Sequence, residues 1–238
     1  MKVVAPYRPM APYTSLHIEL AAKGFDWIRA LMMLGWSARL RAGAEVFAIT
    51  DTELPVQHHR YPSREPLLML WMLDVSLSYL ESEDFDQDTV FVGPDSIVLK
   101  ALDLFGGFDI ALTARPAKFA QSAPLMNGLQ FWPLASRDKL VWLHRRALEI
   151  AHTLSPELQR WGADTEPLIQ LLGPIKEGSF VRNGLRVKIF PYPTLSTVGK
   201  TEMRKMRDGK TVAAGSAVVD FKALRKLHMQ EFYERTFT

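Results

Sequence analysis

The chain has 238 residues, 47% hydrophobic and 23% charged, with no cysteine and a formal net charge of +3. A chain of this length buries about 70% of its unfolded surface, so its core needs no staples, and disordered, collagen-like and disulfide-scaffold classes are excluded. The missing cysteine also removes thiol catalysis, zinc-thiolate and iron-sulfur sites, and it fits a reducing, cytoplasmic setting.

In chain order, Val3-Val4-Ala5 reads as a short strand that stops at Pro6. Phe25–Leu40 sets Trp27, Ile28, Leu31, Met32, Leu34 and Trp36 at helical spacing, with Gly43 as the stop. Val46–Ile49 is a buried-strand run, and Pro62-Ser63 predicts the start of a helix over Arg64–Leu80 with Pro66 in its first turn. The acidic run Glu81–Asp88 reads as a surface loop and leads into a strand, Thr89–Val92, that breaks at Gly93-Pro94. Asp95-Ser96 then predicts a helix through Leu104, ended by Gly106-Gly107. Strands are expected at Ile110–Thr113 and, after Asn127-Gly128, at Leu129–Trp132; helices follow over Ser136–Leu154 and Thr165–Leu172. Late strands at Val187–Phe190 and Ala217–Val219 precede a terminal helix over Lys222–Glu234, and the basic, polar stretch Lys200–Gly215 is expected to be a mobile loop. The alternation predicts a single α/β domain without repeat or linker. No stretch reaches the ~20 apolar residues of a membrane span, since Leu67–Leu80 is too short and holds Asp74. The apolar run within Met1–Pro9 is too brief for a signal peptide.

The net charge is unevenly spread. From Val181 to Thr238 twelve Lys/Arg face five acids, giving +7, and the rest of the chain carries −4. A basic end on an acidic body suits an anion, either a nucleotide diphosphate or a nucleic-acid backbone; a solvated basic tail is the plainer reading.

Candidate site residues cluster after the expected strands. Asp95 follows a buried strand, where ligands bind in open α/β sheets and where a hard cation can neutralise a diphosphate; Asp95-Ser96 equally serves as a helix cap. Tyr7 can stack on a nucleobase and Arg8 can meet phosphate, or the pair can simply close the core edge. Asp51 can accept from a base or ribose, or act as a turn residue, and Arg64 can reach towards Asp95 or remain exposed. Lys222, Arg225 and Lys226 lie at helical spacings of three and four. Asn127 can orient hydroxyls or supply a positive-φ turn, and Asp164 and Glu166 can act as catalytic or sugar-binding carboxylates or start a helix. His58-His59 reads as a surface loop, and His144 and His152 as a solvated helix face. No Walker loop, G-x-G-x-x-G, G-x-S-x-G or H-E-x-x-H is present, which argues against kinases, Rossmann dehydrogenases, serine hydrolases and zincins.

Five segments, in order, resemble the nucleotide-diphospho-sugar transferases of the GT-A glycosyltransferase fold: VFVGPDSIV, FDIALTAR, MNGLQFWP, WGADTEPL and VVDFKALRK, within a span from Val3 to Tyr233. The resemblance implies a mixed, Rossmann-like central sheet with helices on both faces. It also implies a nucleotide-binding half (1–115) and an acceptor half (116–238). The implied donor is a nucleotide-diphosphate sugar, a UDP-sugar first, assisted by Mn²⁺ or Mg²⁺ at Asp95 and Asp220 and with the diphosphate on Lys222 and Lys226. Two positions depart from the family pattern: the first acid of Asp-x-Asp is Gly93, and the late histidine is Asp220. The basic end further suggests a polyanionic acceptor such as DNA bearing a modified base. A nucleic-acid-binding protein and a nucleotidyltransferase are the alternatives. The first lacks aromatics among Lys200–Lys210, and the second lacks a glycine- and lysine-rich loop after the first strand.

Overall fold

Strand β1 (Lys2–Pro6) is buried along its whole length, and successive side chains on a strand point to opposite faces, so both faces of the sheet around it need cover. Val4 packs with Ile49, Phe91 and Trp132 on one face, whereas Val3 and Ala5 pack with Leu31 and Leu34 on the other. The computed structural model describes residues 1–9, 15–115, 124–192, 194–197 and 216–237, with backbone only for 15–17, 196, 197 and 223.

Within the described residues an eight-stranded sheet has β1 and β4 (Thr89–Val92) near its centre. On one side lie β2 (Glu45–Thr50) and β3 (His58–Arg60). On the other lie β7 (Leu125–Trp132), β6 (Ile110–Ala114), β9 (Leu185–Phe190) and β8 (Gly178–Arg182), in that order. The first four strands run parallel; β7 opposes both β4 and β6, and β8 opposes β9. A second sheet joins β10 (Leu195–Thr197), β11 (Val218–Asp220) and β5 (Ser96–Val98). Helices α3 (Leu68–Glu81), α4 (Arg137–Thr153) and α6 (Glu166–Leu172) cover one face of the large sheet. Helix α2 (Trp27–Ala42) covers the other, with α7 (Met229–Phe237) packed against it. Two shorter helices, α1 (Ser15–Ala22) and α5 (Pro156–Trp161), complete the described set. This is the mixed, two-faced α/β sheet that was expected; β4 pairs with β7 and β5 with β11, so both sheets draw on residues before and after 115. No helix among the described residues is long and apolar enough to cross a membrane.

Helix α2 shows how the sequence sets its limits. The Asp26 carboxylate accepts the Ile28 and Arg29 N–H groups, and Gly43 closes the other end at φ 60°, a left-handed angle that glycine adopts without cost.

Several local expectations are corrected. The helix expected from Asp95 is absent: Ile97 and Val98 form β5, fully buried, and the Val98 N–H donates to Ser37 Oγ of α2 at 3.0 Å. Two β-branched residues in a site with strand partners on offer outweigh the capping signal of Asp95-Ser96. Helix α3 starts at Leu68, since Pro66 holds Glu65 away from the helical region. Asn127-Gly128 lies inside β7, so Asn127 supplies no turn. The terminal helix divides into a 3₁₀ turn, Ala223–His228, and α7. His58 and His59 belong to edge strand β3, and His144 is buried at 1% exposure against Trp132. Lys200–Gly215 lies outside the described residues.

Candidate functional site

The chain leaves β1 towards β2 on one side of the sheet and reaches β4 on the other, so the order reverses between these two parallel strands. Ligands of open α/β sheets bind outside the carboxyl ends of strands at such a point. Tyr7 and Arg8 follow β1 there, and Gly93 to Asp95 follow β4.

Two backbone bonds fix the segment after β4. The Gly93 N–H donates to the Gly128 carbonyl at 3.0 Å, and the Phe221 N–H donates to the Asp95 carbonyl at 3.0 Å, which extends the β5–β11 ladder. That ladder opposes Ser96 to Asp220, so residues 125 positions apart in sequence bring Asp95 and Asp220 together. Asp95 and Asp220 are buried, at 6% and 1% exposure.

Each carboxylate carries a lysine. Lys226 Nζ donates to Asp95 Oδ2, in a pair whose side chains are only 10% and 9% exposed. The same ammonium lies 4.7 Å from the centre of the Trp27 ring, a cation–π arrangement. Lys222 Nζ lies 2.9 Å from Asp220 Oδ2. Burial pushes the Asp95 carboxyl up, but Lys226 and Lys222 outweigh it and hold the group below the usual carboxylate range. Loss of water pulls the Lys222 ammonium down, and the carboxylates of Asp95, Asp220 and Asp164 overcome this and hold it above the ordinary lysine range. Lys222 is therefore paired with Asp220 and influenced by the charges of Asp95 and Asp164. Its place is set by extended backbone just before the 3₁₀ turn, so a shared helical face with Lys226 is not what joins the two lysines.

A directed chain of hydrogen bonds reaches the third acid. The Trp132 indole N–H, which can only donate, gives to Gln130 Oε1 at 2.9 Å. Gln130 Nε2 then donates to Asn127 Oδ1 at 2.6 Å, and Asn127 Nδ2 donates to Asp164 at both its carbonyl (2.8 Å) and Oδ2 (3.2 Å). Because the chain starts on a donor-only group, both amides have one allowed orientation, and Asp164 is left as the acceptor. Burial pushes the Asp164 carboxyl up, opposed by the hydrogen bonds from Asn127 and Thr165 and by Lys222.

The remaining expected residues are placed as follows. Tyr7 packs at 6.3 Å from Trp27, and burial together with Asp26 raises its phenol above the ordinary range. Arg8 and Asp51 meet each other: Arg8 Nη2 lies 2.9 Å from Asp51 Oδ2, while Nη1 donates to the Glu65 carbonyl at 2.7 Å. Arg64 is exposed ahead of α3 and joins no ion pair among the described residues. Glu166, in the first turn of α6, accepts from Gln170 at 3.2 Å along the same helix. Gln130, Trp132 and Trp27 belong to the site without having been singled out, because each reads in sequence as an ordinary strand or core residue, and Ser96 reads there only as part of a helix cap. The one available signal was the i, i+2 alternation that sets Gln130 and Trp132 on the same strand face.

The donor set does not fit a resident divalent cation. A hard cation takes six or more oxygen ligands, whereas here Asp95 and Asp220 each lie beside an ammonium, and the two Asp220 oxygens, buried without a hydrogen-bond partner, are too few to complete such a shell. Among the described residues no three His, Cys, Asp or Glu side chains are grouped so as to hold an ion.

No family model and no curated protein matches the sequence. Solved structures do match in fold. A glycosyltransferase involved in glycosylation of the major capsid of PBCV-1 aligns with a TM-score of 0.54 at 11% identity, covering 98% of this chain and 98% of that one. The galactosyltransferase LgtC, solved with donor and acceptor sugar analogues, aligns with a TM-score of 0.57 at 11% identity over 100% of this chain and 97% of its own. The glycosyltransferase GlyE of Streptococcus pneumoniae gives 0.54 at 8% identity, covering 100% of this chain and 60% of that chain. The fold is that of these GT-A-like transferases.

Proposed function

We propose that this chain is a glycosyltransferase that moves a sugar from a nucleotide-diphosphate-sugar donor to an acceptor hydroxyl. The observation that carries the reading is the two lysine–aspartate pairs, Lys226 with Asp95 and Lys222 with Asp220, at the carboxyl end of a central strand of a GT-A-like sheet, with Asp164 held by Asn127 of the neighbouring strand. The donor diphosphate meets Lys222 and Lys226. As the bond between the anomeric carbon and the diphosphate breaks, its electron pair passes to the phosphate oxygen, and the ammonium groups stabilise the charge that develops there. Asp164, held as an acceptor by Asn127 and raised by burial, takes the proton of the attacking hydroxyl. Tyr7 and the Arg8–Asp51 pair flank the base end of the donor, for which a UDP-sugar is the first candidate. Arg64 and Glu166 are left out, and the Mn²⁺ or Mg²⁺ expected at Asp95 and Asp220 has no step in this mechanism.

Thermal stabilisation by a panel of nucleotide sugars tests the reading. A rise in melting temperature with at least one donor, lost in Lys222→Met, is expected; no rise with any donor overturns it. For the acceptor, the +7 balance of residues 181–238 supports a polyanion such as DNA bearing a modified base. Transfer to DNA that falls steeply with salt is then expected, and salt-insensitive transfer to a neutral oligosaccharide overturns this choice.

A further inference from the structure

We propose that Lys222 and Lys226 take the place of the divalent cation, so that the donor diphosphate binds without metal. This rests on the glycosyltransferase reading above and deepens it. Three observations carry it.

The first is charge. Asp95 and Asp220 are the two buried acids of the site, and each already has an ammonium partner. A cation recruiting Asp95 has to expel Lys226 from a pair in which both side chains are about nine-tenths covered. Two fixed ammonium groups carry the same positive charge as one divalent ion and offer six N–H donors to phosphate oxygens and carboxylates.

The second is space. Gly93, where the resemblance to sugar transferases places a second acid, lies close against Asp95. A Cβ there would lie 3.0 Å from Asp95 Oδ1 and 3.5 Å from Ser96 Oγ. A side chain at position 93 therefore crowds the Asp95 carboxylate as it stands beside Lys226, and the carboxylate has to give by a few tenths of an ångström to admit one.

The third is preorganisation. Lys226 is held by Asp95 on one side and the Trp27 ring on another, and Lys222 is held by Asp220. Both charges are in position before the donor arrives, which is the condition under which an electrostatic group lowers a barrier without reorganising.

Calorimetry of the full chain with UDP, GDP, CDP and ADP, each measured in EDTA and again in Mn²⁺, tests the proposal. At least one diphosphate is expected to bind in EDTA within about threefold of its affinity in Mn²⁺ and to weaken tenfold or more in Lys226→Met. Lys222→Met, at a half-exposed side chain, provides a second variant should Lys226→Met fail to fold. The electron paramagnetic resonance signal of free Mn²⁺ is expected to be unchanged on adding the protein alone. Binding that needs Mn²⁺, or loss of the free Mn²⁺ signal that Asp95→Ala restores, overturns the proposal and leaves the donor reading standing. Absence of binding in both conditions overturns the two together.

Discussion

His144 gives a stability test whose size follows from its surroundings. It is 1% exposed on α4, with Nδ1 2.9 Å from the Leu140 carbonyl and its ring edge-to-face against Trp132 at 5.1 Å. Burial pushes the imidazole from 6.5 down to about 4, with the Leu140 hydrogen bond opposing. Above about pH 6.5 the group is neutral in both folded and unfolded states and adds no pH dependence. Between the two values the unfolded chain takes up a proton that the folded chain refuses, so stability falls as the pH falls. At about 1.4 kcal/mol for each pH unit of that interval, the full loss from this one residue is about 3 kcal/mol, of which roughly three-quarters is reached by about pH 4.5. In His144→Phe, which keeps an aromatic ring against Trp132, that loss is absent. Urea unfolding of both proteins at about pH 7.5 and about pH 4.5 measures it, because every other titrating group is common to the two. Parallel losses in the two proteins would refute the buried, neutral assignment of His144.

Gln130→Leu leaves the buried Trp132 N–H and Asn127 Oδ1 without partners, at a site 3% exposed; a cost of about 2–4 kcal/mol in chemical denaturation is expected, together with lower turnover as Asn127 loses its fixed orientation. Asp164→Asn is expected to lower turnover about 100-fold or more while nucleoside diphosphate affinity stays within a few-fold, a split that steady-state kinetics and calorimetry read separately. Gly93→Ala brings a Cβ to 3.0 Å from Asp95 Oδ1, so diphosphate affinity is expected to fall further than thermal stability. Asp109 accepts from Ser136 Oγ at 2.9 Å, from Lys139 Nζ at 2.8 Å and from the Arg186 N–H at 2.8 Å. Burial raises its carboxyl, but the bonds from Arg186, Lys139 and Ser136 hold it well below the usual range. Its contribution is therefore present above about pH 4 and lost as the pH falls further; with Lys139 and Arg186 about half exposed and screened, Asp109→Asn is expected to cost about 2–3 kcal/mol at neutral pH.

The sequence by itself determined the elements whose signals are local. The apolar runs at Val3–Ala5, Val46–Ile49 and Thr89–Val92 are long enough, and bounded sharply enough by Pro6, Asp51 and Gly93, to become β1, β2 and β4. Trp27–Ala42 carries its own cap and its own glycine stop. The order of these segments also sufficed for the fold and for the resemblance to sugar transferases, because alternating strands and helices leave few ways to cover a two-faced sheet.

Tertiary structure decided whatever depended on a partner distant in sequence. Asp95-Ser96 is as good a helix start as any, and it became a strand because Val218 to Asp220 offer Ser96 to Val98 an antiparallel neighbour. His144 lies among Arg145 and Arg146 in sequence, yet α4 turns it under Trp132. The same applies to charge: Arg8, proposed for phosphate, is taken up by Asp51, and Lys226 reaches an aspartate 131 positions away. A residue's type and spacing state which ions it can attract; only the packed chain states which counter-ion comes within reach. In this protein the two acids expected at a metal, Asp95 and Asp220, each came within reach of a lysine.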